Sequence, residues 1–366
     1  MKKIYGLLLA GAMVLCAGTW GSAATITGTA PTTTDGTLND ALNTAFLDAL
    51  YGADHFADGI GGAEEILAKY KDQDKLARGF ANANAYASQA ATFQGYQNYS
   101  IFAISTGVMA GVQLPSLSKS YYDDIDKKLE NEGDLYAGVG AGAAFVNFGV
   151  NAGFITPGLY LSAKFGSFTV KPDDDSKVKN TLVGVGINYN LVDGTGLSGF
   201  FRWRGLSLGT GFLYNKSNVD YSVKVDKQIE SFDAAGYTGN LILDPTVNLG
   251  LDVTTYTIPL DIVTSFQMLW LLNLTFGAGV DFTFGNSDIV LSSNGNVDVE
   301  FSSASIAVTP GTVVIDGSTK NIKPSFVRPR LMTGIGFNFG PLKVDVPVYW
   351  YIATGAAVGV TVGIVW

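Results

Sequence analysis

From about Tyr99 to Trp366 the chain alternates, apolar at one position and polar or bare at the next. Residues 272 to 285 show this most cleanly. Leu272, Leu274, Phe276, Ala278, Val280, Phe282 and Phe284 share one parity, and Asn273, Thr275, Gly277, Gly279, Asp281, Thr283 and Gly285 the other. A period of two marks a strand with unlike faces. The same pattern sets Leu159, Leu161, Ala163 and Phe165 against Tyr160, Ser162 and Lys164. It sets Val183, Val185, Ile187 and Tyr189 against Gly184, Gly186, Asn188 and Asn190. It returns at 331–339, at 342–350, and in the last stretch with Val358, Val360, Val362, Ile364 and Trp366. Ahead of Tyr99 the period is 3.6. Leu38, Leu42, Ala45, Phe46 and Ala49 make an amphipathic helix that Asp35 or Thr37 is placed to cap, and a second helical run covers 63–93.

Strands this long, about 10 to 14 residues, exceed the usual ~5–6 of soluble domains and match the ~9–11 that cross a bilayer. The polar face is mostly Gly, Ser, Thr and Asn rather than charged, unlike the outside of a soluble sandwich. A barrel in lipid explains both faces, with apolar residues toward acyl chains, small polar ones toward a lumen, and every amide paired in a closed sheet. Uncharged runs at 262–280 and 346–366 are long enough for membrane helices, but Pro347, β-branched residues and the period of two favour strand. The fold expected is therefore all-β: a transmembrane antiparallel β-barrel of about 10–12 strands, up to 14, behind a small helical N-terminal segment. Long polar links, among them 215–240, alternate with short ones such as "FGPL" at 339–342. If "FGPL" is a periplasmic turn, residues 286 to 325 form one large external excursion, a hairpin in one reading, and the strand count comes to ten.

Composition sharpens this. Glycine is 45 of 366 residues, about 12% against a typical ~7%, and only 15% of residues are charged. The net charge of -9 and the absence of a Lys/Arg cluster argue against nucleic acid as a partner. "MKK", the apolar run "LLLAGAMVLCAG" and Ser22-Ala23-Ala24 read as a secretory signal peptide over 1–24. Cys16 raises a lipoprotein reading, but Leu15 stands where acylation needs a small residue. The division expected is a leader at 1–24, a Thr-rich and helical segment at 25–92 that is a candidate lumen plug, and a barrel at 93–366.

The signal peptide, the glycine-rich alternating strands, the even count and the terminal aromatic together resemble Gram-negative-type outer-membrane β-barrel proteins. That resemblance implies a place in the cell outer membrane, with its lipids and the barrel-assembly machinery as partners. It also implies that Trp366, with Ile364 and Val362 at alternate positions, forms the C-terminal assembly signal. The helical segment ahead of the barrel is similar to the long-chain fatty-acid transporter family, whose N-terminal piece plugs the lumen. This chain departs from that family in its Thr-rich start, its longer helical segment and its fewer strands.

Nothing in the chain points to catalysis. The single histidine, His55, lies in "GADHFADG" outside the strands, and one histidine without a mature cysteine leaves only carboxylates for a metal. "DDD" at 173–175 reads as a loop tip, and "GTGLSG" at 194–199 lacks the βαβ context of a dinucleotide site. No cofactor or metal is expected. The residues of interest are charges on the inward parity, since a charge facing lipid costs roughly 2–4 kcal/mol at mid-depth. Lumen-lining candidates are Lys164, Asn188, Arg202, Arg204, Asp281 and Arg330. Arginines in a narrow pore select anions; alternatively these side chains neutralise Asp281 or Asp345, or pair with the helical segment. Trp203, Tyr214, Trp270, Trp350, Tyr351 and Trp366 are expected in interfacial girdles. Two functions fit: a pore or channel for passive transport of small solutes, hydrophobic or lipid-like ones among them, across the outer membrane, or a surface interaction (adhesin) barrel that binds through long outer loops with its lumen closed.

Overall fold

The computed structural model describes residues 25–51, 73–89, 99–114, 139–172, 175–198, 200–224, 227–234, 236–302, 306–352 and 354–366. The expected leader, His55, the polar link at 115–138 and most of "DDD" lie outside them.

Ten antiparallel strands close into a ring: β2 (Phe102–Gln113), β3 (Val139–Asn151), β4 (Leu159–Val170), β5 (Ser176–Ser198), β6 (Phe201–Lys224), β8 (Tyr237–Met268), β9 (Leu272–Phe301), β11 (Val327–Phe339), β12 (Leu342–Tyr351) and β13 (Gly355–Val365). Closure is the pairing of β13 with β2, from Gly355↔Gln113 to Val365↔Ala103. A closed sheet has no edge, which is what hydrocarbon requires. Three further strands, β1 (Thr25–Thr29), β7 (Gln228–Ala234) and β10 (Gly311–Ile322), bring the sheet to thirteen among the described residues, one above the ten to twelve expected and within the upper bound of fourteen. The runs at 262–280 and 346–366 are strands of the wall, not helices. The turn at 340–341 uses Gly340 at φ +67°, a conformation that needs glycine.

The alternation sorts as the period of two demands. On β11, burial alternates residue by residue from Val327 to Phe339. Leu331, Ile335, Val358, Val360, Phe276 and Leu260 lie exposed on the outside, while Asn273, Thr275, Thr283 and Thr361 are buried inside. Val360 sits mid-strand in β13 opposite Val108 and is 44% exposed. Val360→Lys is expected to lower the unfolding free energy in lipid by roughly 2–4 kcal/mol. Urea titration of the refolded barrel measures this, and a loss under 1 kcal/mol would remove Val360 from the lipid face.

The structure corrects the reading of the link at 215–240. Residues 215–240 are not a polar loop; they continue β6, form β7 and begin β8. β8 and β9 run for 32 and 30 residues, far beyond a bilayer's need. The excursion at 286–325 is the hairpin formed by the end of β9 with β10. In this extension the amphipathy inverts. Outward even positions Tyr256, Ile258, Leu260 and Ile262 give way, toward the strand's start, to Thr254, Asp252, Asn248 and Asp244. Inward odd positions become apolar, with Leu241, Leu243, Leu251 and Val253 buried on β8 and Ile289 and Val297 on β9. The switch falls at a row of aromatics in register, Tyr214↔Tyr256↔Phe284, with ring centroids 5.4 and 5.8 Å apart. Below that row the sheet is a membrane wall; above it, an ordinary water-facing sheet with an apolar underside.

Helix α1 (Gly36–Tyr51) covers that underside. Asp35 caps it, its Oδ1 accepting the amides of Thr37 at 3.0 Å and Leu38 at 3.4 Å. Leu38, Leu42 and Phe46, spaced by four, are fully buried against Phe232, Leu241, Leu243, Val297 and Val313. Each such side chain contributes roughly 1.5–3 kcal/mol on burial. β1 completes the head by pairing with β10, Thr25↔Asp316 to Thr29↔Thr312.

Candidate functional site

The lumen holds a second helix, α2 (Gln73–Ser88). Every residue from Gly79 to Gln89 is buried. Small side chains make this fit possible. Ala77, Ala81, Ala83, Ala85 and Ala87 present little bulk, and on the wall Gly111 of β2 lets the helix backbone approach. A Cβ at Gly111 would lie 2.5 Å from the Ala83 carbonyl oxygen and 2.7 Å from the Tyr86 Cβ.

Asparagines fix the helix to opposite walls. The Asn84 amide donates to the Asn215 carbonyl and to Thr255 Oγ1, both at 3.0 Å, while Asn215 Nδ2 donates back to Asn84 O at 2.8 Å. Ser217 Oγ donates to Asn84 Oδ1 at 2.6 Å. Asn82 exchanges bonds with Ser325, and its Oδ1 accepts from Arg328 Nη1 at 3.2 Å. Arg328 also donates to Thr283 Oγ1. Its guanidinium lies over the Tyr86 ring, which stacks on Tyr351 at 3.7 Å.

Below this level lies a buried ionic cluster. Asp281, fully buried, accepts Gln89 Nε2 and the Tyr351 hydroxyl on Oδ2, each at 3.0 Å, and pairs through Oδ1 with Arg330 Nη2 at 3.2 Å. The same Nη2 is 2.7 Å from Asp261 Oδ1. Two carboxylates thus clamp one guanidinium in a medium where a lone charge is costly. The carbonyl end of α2 receives Lys164 Nζ on Ser88 O at 3.3 Å and the Tyr349 hydroxyl on Gln89 O at 3.2 Å. A cation suits the negative end of the helix dipole.

Beneath the end of α2, a cavity of about 100 Å³ is lined by Gln89, Asn147, Ser162, Lys164, Asn188 and Asp261 among others. On the lipid side of the same wall a groove of about 670 Å³ runs between Ile187, Tyr189, Leu208, Leu260, Ile262 and Val280. Cavity and groove share Gly209, Thr210 and Asp261. Here the β6–β8 ladder passes Thr210↔Leu260 and resumes at Leu213↔Thr257. Pro259, on the cavity side, has no N–H to bridge the gap. At the mouth nearer the short turns, Tyr99 packs edge-on against Tyr160 at 4.9 Å, and burial pushes its phenol above the ordinary range.

Of the residues singled out in the sequence, the structure gathers Lys164, Asp281 and Arg330 around the end of α2, with Asn188 lining the cavity beside them. Arg202 and Arg204 do not join them. They sit near the short-turn end, at the start of β6, with Arg202 exposed and opposite Gln267. Val362, Ile364 and Trp366 are exposed on the outside of β13. Tyr351 is corrected: it is fully buried in the lumen, because Trp350 takes the outward parity of β12 and leaves its neighbour inward. Asp261, Tyr349, Asn84 and Gln89 were missed. For Asp261 and Tyr349 a signal existed, since each shares the inward parity of its strand with polar neighbours. For Asn84 and Gln89 there was none, since a helix in a lumen is polar on whichever side the wall is polar.

Comparison with known proteins follows this geometry. The model of a family described as Lsa36-like matches residues 10–366. The chain belongs to the Lsa36-like family. Among curated proteins none matches it. Solved structures similar in part include the translocator domain of the autotransporter NalP from Neisseria meningitidis, at 10% identity and a TM-score of 0.33, covering 79% of this chain and 96% of that one. The toluene transporter TbuX of Ralstonia pickettii follows at 8% identity and a TM-score of 0.25, covering 79% and 99%. A FadL homologue of Pseudomonas aeruginosa gives 8% and 0.23, covering 78% and 95%. At these scores the likenesses add nothing to the closed ring and its inverted amphipathy, which by themselves make this Lsa36-like chain an outer-membrane β-barrel.

Proposed function

We propose that the protein passes small, partly apolar solutes passively across the outer membrane, with α2 as the stopper of its lumen. The observation that carries this is the pairing of an inner cavity with an outer apolar groove that share Gly209, Thr210 and Asp261 in their linings. Gly184, Gly186 and Gly211 also line the cavity, so side chains there are few. A solute that reaches the cavity meets polar groups on one side and lies next to a path to the acyl chains on the other. Hydrogen bonds, each worth a net ~0.5–1.5 kcal/mol and each replaceable by water, fix the stopper at Asn84, Ser88 and Gln89. Its apolar contacts with the wall are made mostly by alanines, with Phe80 and Tyr86 the large side chains among them.

Planar-bilayer conductance, with and without residues 25–92, tests the reading. The full chain is expected to be closed and the truncated chain to conduct. Liposome swelling then reports which small neutral solutes enter. Silence in both forms overturns the proposal and favours the second reading, an interaction barrel with a shut lumen. A separate observation supports that reading too: the head above the membrane, built from β1, α1, β7, β10 and the ends of β8 and β9, has an apolar core of its own.

A further inference from the structure

We infer that residues Thr25–Tyr51 stand on the outer surface of the cell, carried there through the barrel they precede, with α2 as the thread left in the bore. Chain connectivity requires this, whatever the barrel conducts.

The wall has ten strands, so its first and last begin and end on one side. Ile101, just ahead of β2, donates its amide to the Trp366 carbonyl, and Asn151 donates its own to the Ile101 carbonyl. That side is also the side of the short turns, at 269–271 and 340–341, since Leu272↔Phe337 and Leu342↔Ile364 lie there. The head lies at the other end. β1 pairs with β10 along Thr25–Thr29, and α1 packs on Leu241, Leu243 and Val297, which lie about 13 or more residues along β8 and β9 beyond the aromatic row.

Between these two ends runs α2. Ala77, in its N-terminal part, packs with Leu251, Val253 and Ile289 just above the aromatic row. Its last turn meets Lys164 and Asp281 deep in the wall. Sixteen residues of helix span ~24 Å, most of a hydrocarbon thickness of ~30 Å. The chain therefore enters β2 from the short-turn side only after descending the lumen from the head.

Sidedness completes the argument. Barrels of this kind turn tightly on the periplasmic side and carry their long excursions outside. The head's outward face is charged and polar, with Asp244, Asp252, Asp298 and Glu300 in positions that lipid would not tolerate. It stands clear of the membrane on the side opposite the turns at 269–271 and 340–341. A segment synthesised before the barrel and found beyond it has crossed with the barrel or through it. The head is then a composite: a leading strand and helix docked onto the extracellular ends of strands that follow them by roughly two to three hundred residues. It gives the cell a displayed N-terminal surface tied to the wall by α2.

Single cysteines test this directly, because the natural chain has one cysteine, Cys16, within the expected leader. Thr34→Cys lies in the exposed link between β1 and α1, and Pro341→Cys in the exposed tight turn. A membrane-impermeant maleimide is applied to intact cells and again after the outer membrane is permeabilised. Heat-modifiable mobility on gels shows that each variant has folded. The expected result is Thr34→Cys labelled equally in both conditions and Pro341→Cys labelled only after permeabilisation. Protection of Thr34→Cys in intact cells overturns the inference, whether Pro341→Cys is then exposed, which is an inverted barrel, or also protected, which is a head that never crossed.

Discussion

Replacing Asp281 with alanine is expected to cost about 3–5 kcal/mol of stability. The carboxylate is fully buried and answers three donors at once: Gln89 of the plug segment, the Tyr351 hydroxyl of β12 and Arg330 of β11. Its removal leaves Arg330 to Asp261 alone, on the one Nη2 they share, and leaves two neutral donors in a space that water reaches poorly. Asp281→Asn keeps an acceptor of the same shape and is expected to lose less, because only the charge is gone. The pair Asp281→Ala with Arg330→Met is expected to recover part of the loss, since a buried ion pair exchanged whole for apolar side chains is often close to neutral. Urea unfolding of the refolded protein in detergent, followed by heat-modifiable mobility, separates the three. A loss below about 1 kcal/mol for the alanine variant would mean that the cluster is wet and that Gln89 is not anchored by it.

The reason such a cluster was only half legible in the sequence lies in the two periods. Within the wall a period of two assigns every residue to lipid or lumen, so Asp281, Arg330 and Lys164 could be put on the inner face by counting from their neighbours. Counting does not say which inner residues share a level, because that depends on strand tilt and on register across partners far apart in the chain. Arg328↔Asp281 and Pro259↔Asp281 are adjacent in the ladder and separated by tens of residues in sequence. Arg202 and Arg204 share the "Arg-x-Arg" spacing of Arg328 and Arg330, yet they are among the first residues of β6, directly after the short turn, and so stand at the mouth. Sequence spacing alone gives the two pairs one reading.

The head was misread for a different reason. Its strands carry the same period of two, but with apolar residues on the opposite parity: Leu249, Leu251 and Val253 are odd where Tyr256, Ile258 and Leu260 are even. A change of parity inside a run looks like a break, and with polar residues around it a break looks like a loop. Physically, the solvent changes from lipid to water at Tyr256, so the apolar face must turn from outside to inside while the backbone continues. That signal is readable wherever a strand outlasts a membrane.

Gly111→Val is expected to expel α2 from the lumen and leave the barrel standing. The built Cβ meets Ala83 O, Tyr86 Cβ and Ala87 N, all within 2.8 Å and all on α2, so the strain falls on the plug and not on the wall. Valine suits a strand, and Gly111 pairs regularly with Ala141 and Ala357. Overpacking of this order costs roughly 1–3 kcal/mol, which shifts the ratio of undocked to docked plug by roughly 5- to 150-fold. The asparagine contacts of Asn84 with Asn215 and Thr255 are lost together, since one rigid helix carries them. In planar bilayers the variant is expected to open far more often than the natural chain, and in solution residues 73–89 become accessible to protease while the heat-modifiable barrel persists. Gly142→Val is the matched control: it lies on the lipid face of β3, and its built Cβ comes no nearer than 3.8 Å to any atom, so it leaves conductance unchanged. Equal behaviour of the two variants would mean that α2 does not bear on β2 and that the lumen is closed by something other than its close approach to Gly111.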